Sequence, residues 1–391
     1  ESIYRLMEFN SDSNLTSIQE NKVKDLGVLF KAEYSLNPNF KILFGQDFSS
    51  LDVDYNLRFG RDNDLEENEN SNLIIQSLFI ENEIKFKQWY LRFGIRGSYL
   101  SDTAKIYAEP RFLANLFLGN HWKLKASAEI KNQAISQLIF FDFNDFGLNN
   151  NIWVLANEEN DIPLITSKQA TFGFVFSKKG WQVNLESYYK NFSGISSFTR
   201  GFNSMTQQSD GISEGNSKVY GFDLLLKKKI RRFRSWLGYS FSKTMFEFDT
   251  LQSSKFPGNF DQRHVLNFSN TYRYKKFQCA LGWSFATGRP YSQATPLETM
   301  DETGNSEITP IYDELNTERL NSYHRLDLSA LYDFTLGTHR DINVRLGFSV
   351  QNLLNRSNEL ERSFKTGNDQ LLEITNFGVE RYYNMVLRIW L

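Results

Sequence analysis

The nine residues from 342 to 350 read INVRLGFSV and alternate between apolar side chains and polar or small ones. One face of an extended chain would carry Ile342, Val344, Leu346, Phe348 and Val350. The opposite face would carry Asn343, Arg345, Gly347 and Ser349. Side chains of a strand point to opposite faces in turn, whereas an amphipathic helix repeats every three to four residues. The stretch therefore predicts a β-strand with one apolar and one polar face.

The same alternation recurs along the chain, for example at residues 277–285, 325–334 and 122–131. Strands of soluble sandwiches usually hold about five or six residues, and many of these runs are longer. A tilted strand needs about 9 to 11 residues to cross a bilayer, with its apolar face toward lipid and its polar face toward a lumen. The pattern thus predicts an all-β chain that forms a transmembrane antiparallel β-barrel.

Short turns and long polar stretches alternate between these runs, as in outer-membrane barrels with tight periplasmic turns and long external loops. Short turns occur at 37–39, 178–180 and 274–276. Long polar stretches lie at about 49–71, 135–167, 194–216, 246–261, 287–321 and 354–379. We expect sixteen strands, near 2–10, 24–36, 40–48, 72–85, 88–100, 106–118, 121–134, 168–177, 180–193, 217–229, 232–245, 262–273, 275–287, 322–334, 340–353 and 380–391.

Composition excludes several other classes of protein. The 391 residues include 35 Phe, 18 Tyr and 7 Trp, too many aromatic residues for a disordered chain, and one Cys, too few for a disulfide scaffold. The net charge of −2 provides no basic field for nucleic acid. No apolar run reaches the roughly 18 residues of a membrane-spanning helix.

The sequence offers little for catalysis or metal binding. His121, His264, His324 and His339 lack the spacing of metal ligands, and Cys279 stands alone on an apolar strand face. No Gly-rich phosphate loop is visible. We therefore expect neither an enzyme nor a cofactor.

Charged residues are distributed unevenly between the two predicted ends. Acidic clusters occupy the long loops near residues 62–69, 158–161 and 298–302. Basic residues occupy the short turns: Lys178, Lys179, Lys227, Lys228, Lys229, Arg231, Arg232, Lys275 and Lys276. This asymmetry supports the predicted topology. Solvated loops are the simpler interpretation of the acidic clusters, and ion bridging to lipopolysaccharide or capture of a cationic ligand are alternatives.

Four ordered motifs carry a resemblance to a known family. Residues 256–267 read FPGNFDQRHVLN and residues 286–291 read ATGRPY. Residues 320–328 read LNSYHRLDL and residues 350–356 read VQNLLNR. In their order and their positions at strand ends they resemble TonB-dependent receptors, particularly the Bacteroidota type whose plug follows a carboxypeptidase-regulatory-like domain. The resemblance extends over roughly residues 72–391.

The resemblance implies a barrel of 22 strands around a plug, whereas this sequence predicts about sixteen strands. We therefore expect residues 1–391 to form part of the barrel, beginning at about its seventh strand, with the plug outside this chain. A complete sixteen-stranded porin-like barrel is the alternative.

Eleven charged residues fall on predicted polar faces: Arg92, Arg96, Glu109, Arg111, Glu129, Lys131, Glu186, Arg263, Arg325, Asp327 and Arg345. Charges that face a lumen need water or an opposite charge. One interpretation is that they form ladders between neighbouring strands, and the other is that some of them hold a plug. Five loop aromatic residues are candidates for ligand contact or for packing: Trp153, Phe198, Phe202, Tyr291 and Tyr312.

The function that the resemblance implies is energy-coupled import of a scarce solute, such as an iron chelate, vitamin, glycan or peptide, across the cell outer membrane. Expected partners are outer-membrane lipid and lipopolysaccharide, and the TonB complex through the plug. Two alternatives are a passive porin-like channel and a structural subunit that serves as a platform for a surface lipoprotein or a larger secretion or assembly complex.

Overall fold

The structure is a computed structural model that describes residues 2–10, 15–60, 65–139, 152–158, 161–198, 212–300, 306–312, 314–337, 342–367 and 370–390. In these ranges the regular secondary structure consists of strands. Among the same residues, there is no helix of the length and apolar character needed to cross a membrane.

The strands are β1 (Ser2–Asn10), β2 (Leu15–Asn37), β3 (Phe40–Gly60), β4 (Leu65–Phe86), β5 (Trp89–Leu100), β6 (Lys105–Leu118), β7 (Trp122–Gln133), β8 (Ile135–Gln137), β9 (Trp153–Leu155), β10 (Ile165–Lys178), β11 (Trp181–Phe198), β12 (Ile212–Ile230), β13 (Phe233–Phe248), β14 (Gln252–Pro257), β15 (His264–Tyr274), β16 (Phe277–Ala286), β17 (Pro290–Tyr291), β18 (Ala294–Met300), β19 (Ser306–Tyr312), β20 (Glu318–Arg319), β21 (Tyr323–Leu336), β22 (Ile342–Gln351), β23 (Glu359–Gly367), β24 (Gln370–Phe377) and β25 (Tyr382–Trp390).

One large antiparallel sheet contains seventeen of these strands. Its short member, β14, pairs with β13 and with no other described strand. The other sixteen pair in the order β1-β2-β3-β4-β5-β6-β7-β10-β11-β12-β13-β15-β16-β21-β22-β25. The sixteen strands expected from the alternation are confirmed. Within the described residues, β1 pairs only with β2 and β25 only with β22.

Strands β2, β3 and β4 are longer than the alternation predicted. The prediction of a loop at 49–71 was wrong, because β3 continues to Gly60 and β4 begins at Leu65. Polar residues on both faces suggested a loop, but backbone pairing continues across them, from Phe59 opposite Leu65 down to Leu51 opposite Leu73. A strand that projects beyond the bilayer no longer needs an apolar outer face.

The register aligns the apolar residues of successive strands into one band. Leu266 lies opposite Phe285, and Trp283 lies opposite Leu326. Large apolar side chains in this band are strongly exposed, with Phe30 at 61% and Met385 at 77%. Such a surface suits lipid contact, and the opposite face therefore lines the lumen.

The two ends of the wall differ in structure. At one end β4–β5, β10–β11, β12–β13 and β15–β16 are joined by two-residue turns. At the other end, which we call the mouth, small two-stranded sheets form from the connecting segments, such as β8–β9, β18–β19 and β23–β24. Three apolar clusters of buried side chains also lie among these segments. Short turns mark the periplasmic end and long loops the extracellular end.

Candidate functional site

Charged side chains on the lumen face form pairs between neighbouring strands. Arg96 of β5 forms two ion pairs: its Nη2 lies 2.8 Å from Oδ2 of Asp47, and its Nε lies 3.6 Å from Oε2 of Glu109. The same guanidinium donates a hydrogen bond of 2.8 Å to Oγ of Ser77. Glu109 is only 7% exposed and also accepts the backbone N–H of Asn132 at 2.8 Å. The period-two spacing brings these residues together because each stands on the same face of its strand.

A second group lies nearer the periplasmic end. Arg92 pairs with Glu81, and its Nε lies 3.8 Å from Oε1 of Glu83. Lys41 of β3 pairs with Glu33 of β2, with 2.6 Å between Nζ and Oε1. Each cation therefore has a carboxylate on an adjacent or nearby strand.

The ladder continues across β7, β10 and β11. Glu129 lies 3.0 Å from Nζ of Lys131 and accepts a hydrogen bond from Gln169. Glu186 of β11 pairs with Lys125. Arg111 lies in register opposite Glu129 but forms no ion pair with another described residue.

Two further pairs lie near the end of the chain. Nε of Arg325 donates to Oδ1 of Asp327 at 2.9 Å, and the same carboxylate accepts the backbone N–H of Asn352 at 2.9 Å. Arg345 of β22 donates to Asp333 of β21 at 2.6 Å and 2.9 Å. The structure thus places most of the expected lumen charges in pairs within the wall, and their contact with a plug stays a prediction.

Arg263 occupies a different setting, in a buried cluster at the mouth. Its Nε donates to Oδ2 of Asp261 at 2.8 Å, and Arg319 donates to the same oxygen at 2.6 Å. The other carboxylate oxygen accepts the backbone N–H of Thr244 at 2.7 Å, and Asp261 is 2% exposed. Sequence reasoning missed Asp261 and Arg319. Only the spacing of two between Asp261 and Arg263, which would put both on one face of an extended chain, could have indicated the first of them. In the structure both residues precede β15.

Trp153 lies in the β8–β9 hairpin, which folds onto the lumen face of the wall. Leu155 and Ala156 pack against the inward side chains of Leu51 and Leu73. Asn21 of β2, 3% exposed, accepts the backbone N–H of Trp153 at 2.8 Å and donates to its carbonyl at 3.3 Å. This hairpin therefore lies inside the mouth.

The other side of the hairpin reaches β11. The N–H of Ile139 donates to the carbonyl of Ser196 at 3.0 Å, and Oγ of Ser197 donates to the carbonyl of Ile139 at 2.6 Å. Ile139 also packs against the apolar cluster that contains Phe248 and Phe256. The hairpin thus connects the β2–β4 side of the wall with β11 and narrows the lumen between them.

The remaining loop aromatic candidates are packed or lie outside the described side chains. Tyr291 is buried, and its hydroxyl accepts a hydrogen bond of 3.1 Å from Arg362. Tyr312 packs edge-on against Phe364, with 6.4 Å between ring centroids. Phe198 ends β11, and its side chain lies outside the described residues, as does the whole of Phe202.

A cavity of about 240 Å³, lined by both polar and apolar side chains, opens on the lumen face just below the mouth. Its lining includes Gln262, Asn267, Ser284, Arg289, Tyr323 and Glu359. Burial lowers the pKa of Arg289, which lies over the ring of Phe260 at 5.3 Å. This cavity offers hydrogen-bond donors and acceptors to a small polar group.

Across the described part of the chain, no group of three or more His, Cys, Asp or Glu is placed to hold a metal ion. His264 instead bonds to the hydroxyl of Tyr239 at 2.8 Å, and His324 packs against Phe285.

Comparisons with known proteins agree with this geometry. The family model for "TonB dependent receptor-like, beta-barrel" matches residues 4–353. The ferric yersiniabactin uptake receptor FyuA from Yersinia pestis shares 12% identity at a TM-score of 0.67, over 99% of this chain and 57% of that one. The FrpB iron transporter from Neisseria meningitidis shares 14% identity at a TM-score of 0.60, over 96% of this chain and 59% of that one. The ferric citrate transporter FecA in its unliganded form shares 11% identity at a TM-score of 0.61, over 99% of this chain and 57% of that one.

No curated protein matches the sequence significantly. At such low identities the three structures show the fold alone, and the chain spans between 57% and 59% of their length. The family match extends over most of the chain and agrees with the wall of sixteen strands. The chain therefore belongs to the family of TonB-dependent receptor-like β-barrels, which are proteins of the outer membrane.

Proposed function

We propose that this chain forms most of the wall of an outer-membrane receptor that imports a scarce solute with energy from the TonB complex. Its activity would be binding and gating, without covalent catalysis. The observation that carries the proposal is the match of residues 4–353 to the family model. The charged lumen face of the chain agrees with it. Transport in this sense requires a solute to be captured at the mouth and then released through the lumen.

The paired charges of the lumen wall support this proposal. Arg96 and Asp47 are partly exposed and form a pair of compensated charge on the lumen face, with Glu109 buried beside them. Hydrogen bonds of a partly exposed pair can be exchanged for others at small cost. A plug that rests on such a wall can move without leaving an isolated charge behind. We propose that the eleven predicted lumen residues contribute to this contact, with Arg111 available for a partner outside the described residues.

We propose further that other strands of a longer protein complete the barrel and that a plug fills it. The outer edges of β1 and β25 support this, because each pairs on one side only within the described residues. Unpaired backbone N–H and C=O groups in hydrocarbon are costly, so spanning barrels are closed.

The class of solute that we propose is a small polar compound such as a metal chelate. Proteins of similar structure include a ferric citrate transporter, FecA, and a copper transporter, OprC. In this chain the support is the cavity just below the mouth, where Arg289, Glu359 and several uncharged polar side chains offer hydrogen bonds. The aromatic residues Trp153, Tyr291 and Tyr312 would shape the mouth rather than stack on the solute.

Uptake by intact cells tests the proposal. Cells that carry or lack the full-length receptor, each with and without TonB, are given ferric citrate, other ferric chelates, cobalamin, oligosaccharides or peptides as the limiting nutrient. We expect receptor-dependent uptake of at least one class, and we expect its loss without TonB. Equal uptake without TonB would support a passive channel, whereas no uptake together with stable co-purifying subunits, such as a lipoprotein, would support a structural role.

A further inference from the structure

The periplasmic turns have an unusual composition for their backbone conformation. Five hairpins at this end close with two residues between paired strand ends, within the described part of the chain. In four of them the first turn residue is Lys or Arg with a left-handed φ of 46–52°. These residues are Lys87, Lys179, Arg231 and Lys275.

A left-handed backbone conformation does not favour these residues. Gly, Asn and Asp are the usual occupants of such two-residue turns, because Gly lacks a Cβ and the short polar side chains bond locally. Lysine and arginine have neither advantage, and a non-glycine residue at positive φ carries a conformational cost. The repeated use of a cation at the same turn position indicates that the charge itself has a role there.

Several cations of this end point outward, onto the lipid-facing side. Lys178 and Lys228 both lie in register opposite Trp181, a residue of the apolar face. Nζ of Lys228 lies 4.3 Å from the centroid of the Trp181 ring. The guanidinium of Arg232 lies 3.9 Å from the centroid of the Tyr274 ring, and Lys87 lies over Phe86 at 5.3 Å. Aromatic side chains at strand ends mark the level of lipid headgroups.

Carboxylates near this end face the other way. In the described ranges, those closest to the periplasmic turns are Glu33, Glu83 and Asp333. All three stand on the lumen face, where Lys41, Arg92 and Arg345 pair with them. The counter-ions of the outward cations must therefore come from outside the wall.

We propose that these outward cations form a binding site for the phosphate groups of anionic phospholipids in the periplasmic leaflet. We call Lys87, Lys178, Lys228 and Arg232 the periplasmic cation rim. Each lies beside an aromatic residue of the lipid-facing band, so a headgroup phosphate can reach the cation while its acyl chains lie along the apolar strand. A soluble acidic protein would have to approach below the strands, whereas the lipid is already adjacent.

The test uses the full-length receptor in nanodiscs of phosphatidylcholine with phosphatidylglycerol. One variant neutralises the rim through Lys87→Gln, Lys178→Gln, Lys228→Gln and Arg232→Gln. Its matched control neutralises the same number of lumen-facing cations at the same end, through the substitutions Lys85→Gln, Lys227→Gln, Lys229→Gln and Arg234→Gln. Phosphatidylglycerol that stays bound after gel filtration is measured by mass spectrometry. We expect the rim variant to retain at most about one tenth of the phosphatidylglycerol that the wild type retains. We expect the control to retain the wild-type amount.

A second set of substitutions separates charge from folding. Lys87→Asn, Lys179→Asn, Arg231→Asn and Lys275→Asn remove charge but place a residue that tolerates the left-handed conformation. In phosphatidylcholine alone we expect this variant to melt at a higher temperature than the wild type. In the mixed nanodiscs we expect it to retain more phosphatidylglycerol than the rim variant, because Lys87 is the one rim residue that it changes.

Three results would overturn the proposal. The first is an equal loss of phosphatidylglycerol from the rim variant and from its lumen-facing control. The second is wild-type retention by the rim variant. The third is that the rim variant loses a bound acidic periplasmic protein while its lipid is unchanged, which would make the cations a protein-docking surface.

Discussion

Replacing Asp261 with alanine is expected to lower the free energy of local unfolding of the loops at the mouth by about 3 kcal/mol. The carboxylate is buried and accepts hydrogen bonds from Arg263, Arg319 and the backbone of Thr244. Alanine would leave the backbone N–H and both guanidinium groups without this acceptor. This value lies at the low end of the cost of breaking a buried ion pair. The two Arg side chains are 25% and 32% exposed and can therefore turn toward water.

Amide hydrogen exchange of the full-length receptor measures this effect at the mouth. We expect exchange of the segments around residues 257–262, 287–291 and 315–320 to accelerate by about two orders of magnitude. Asp249→Ala is the control, since Asp249 lies exposed in the turn that follows β13, and its removal should change little. Unchanged exchange in Asp261→Ala would show that the carboxylate does not hold these loops together.

Replacing Gly288 with alanine is expected to lower the free energy of local unfolding of the same region by about 2–3 kcal/mol. A Cβ at this position would lie 1.6 Å from the carbonyl oxygen of Leu320, an atom of the backbone that cannot rotate away. The clash would separate the segment that leads into β17 from the segment that leads into β21. It would also disturb the hydrogen bond of 2.9 Å from the N–H of Leu320 to the carbonyl of Arg289.

Gly282→Ala is the matched control for this substitution. Gly282 lies in the neighbouring part of the chain, within β16, and a Cβ there would meet nothing within 4 Å. Alanine in a strand should be neutral or stabilise by about 0.5–1 kcal/mol relative to glycine. Thermal unfolding and hydrogen exchange of the two variants compare them directly, and equal behaviour would contradict the close approach of Leu320.

The wall could be predicted from the sequence because its rule is local. Each strand reveals its two faces by alternation, as between residues 342 and 350, and neighbouring strands join through short turns. The positions of Arg345 and Asp327 on the lumen face follow from the same rule. Their partners do not, since an ion pair such as Arg345 with Asp333 also depends on the register between two strands.

The mouth could not be predicted because its contacts join distant parts of the chain. Asn21 binds the backbone of Trp153 across 132 positions, and Arg319 binds Asp261 across 58. No periodic pattern indicates such contacts, and an aromatic residue in a loop looks the same whether it packs or binds. For this reason Tyr291 was an open candidate in the sequence and proves buried in the structure.

The central claim is that one face of this wall meets lipid and the other meets the water of a lumen. Single-cysteine variants of the full-length receptor in intact outer membranes, with Cys279 replaced by alanine, test this claim most directly. A charged thiol reagent should label Ser284→Cys and Ser329→Cys, which face the lumen, and should spare Phe268→Cys and Leu328→Cys, which face lipid. Equal labelling of both pairs would contradict the account.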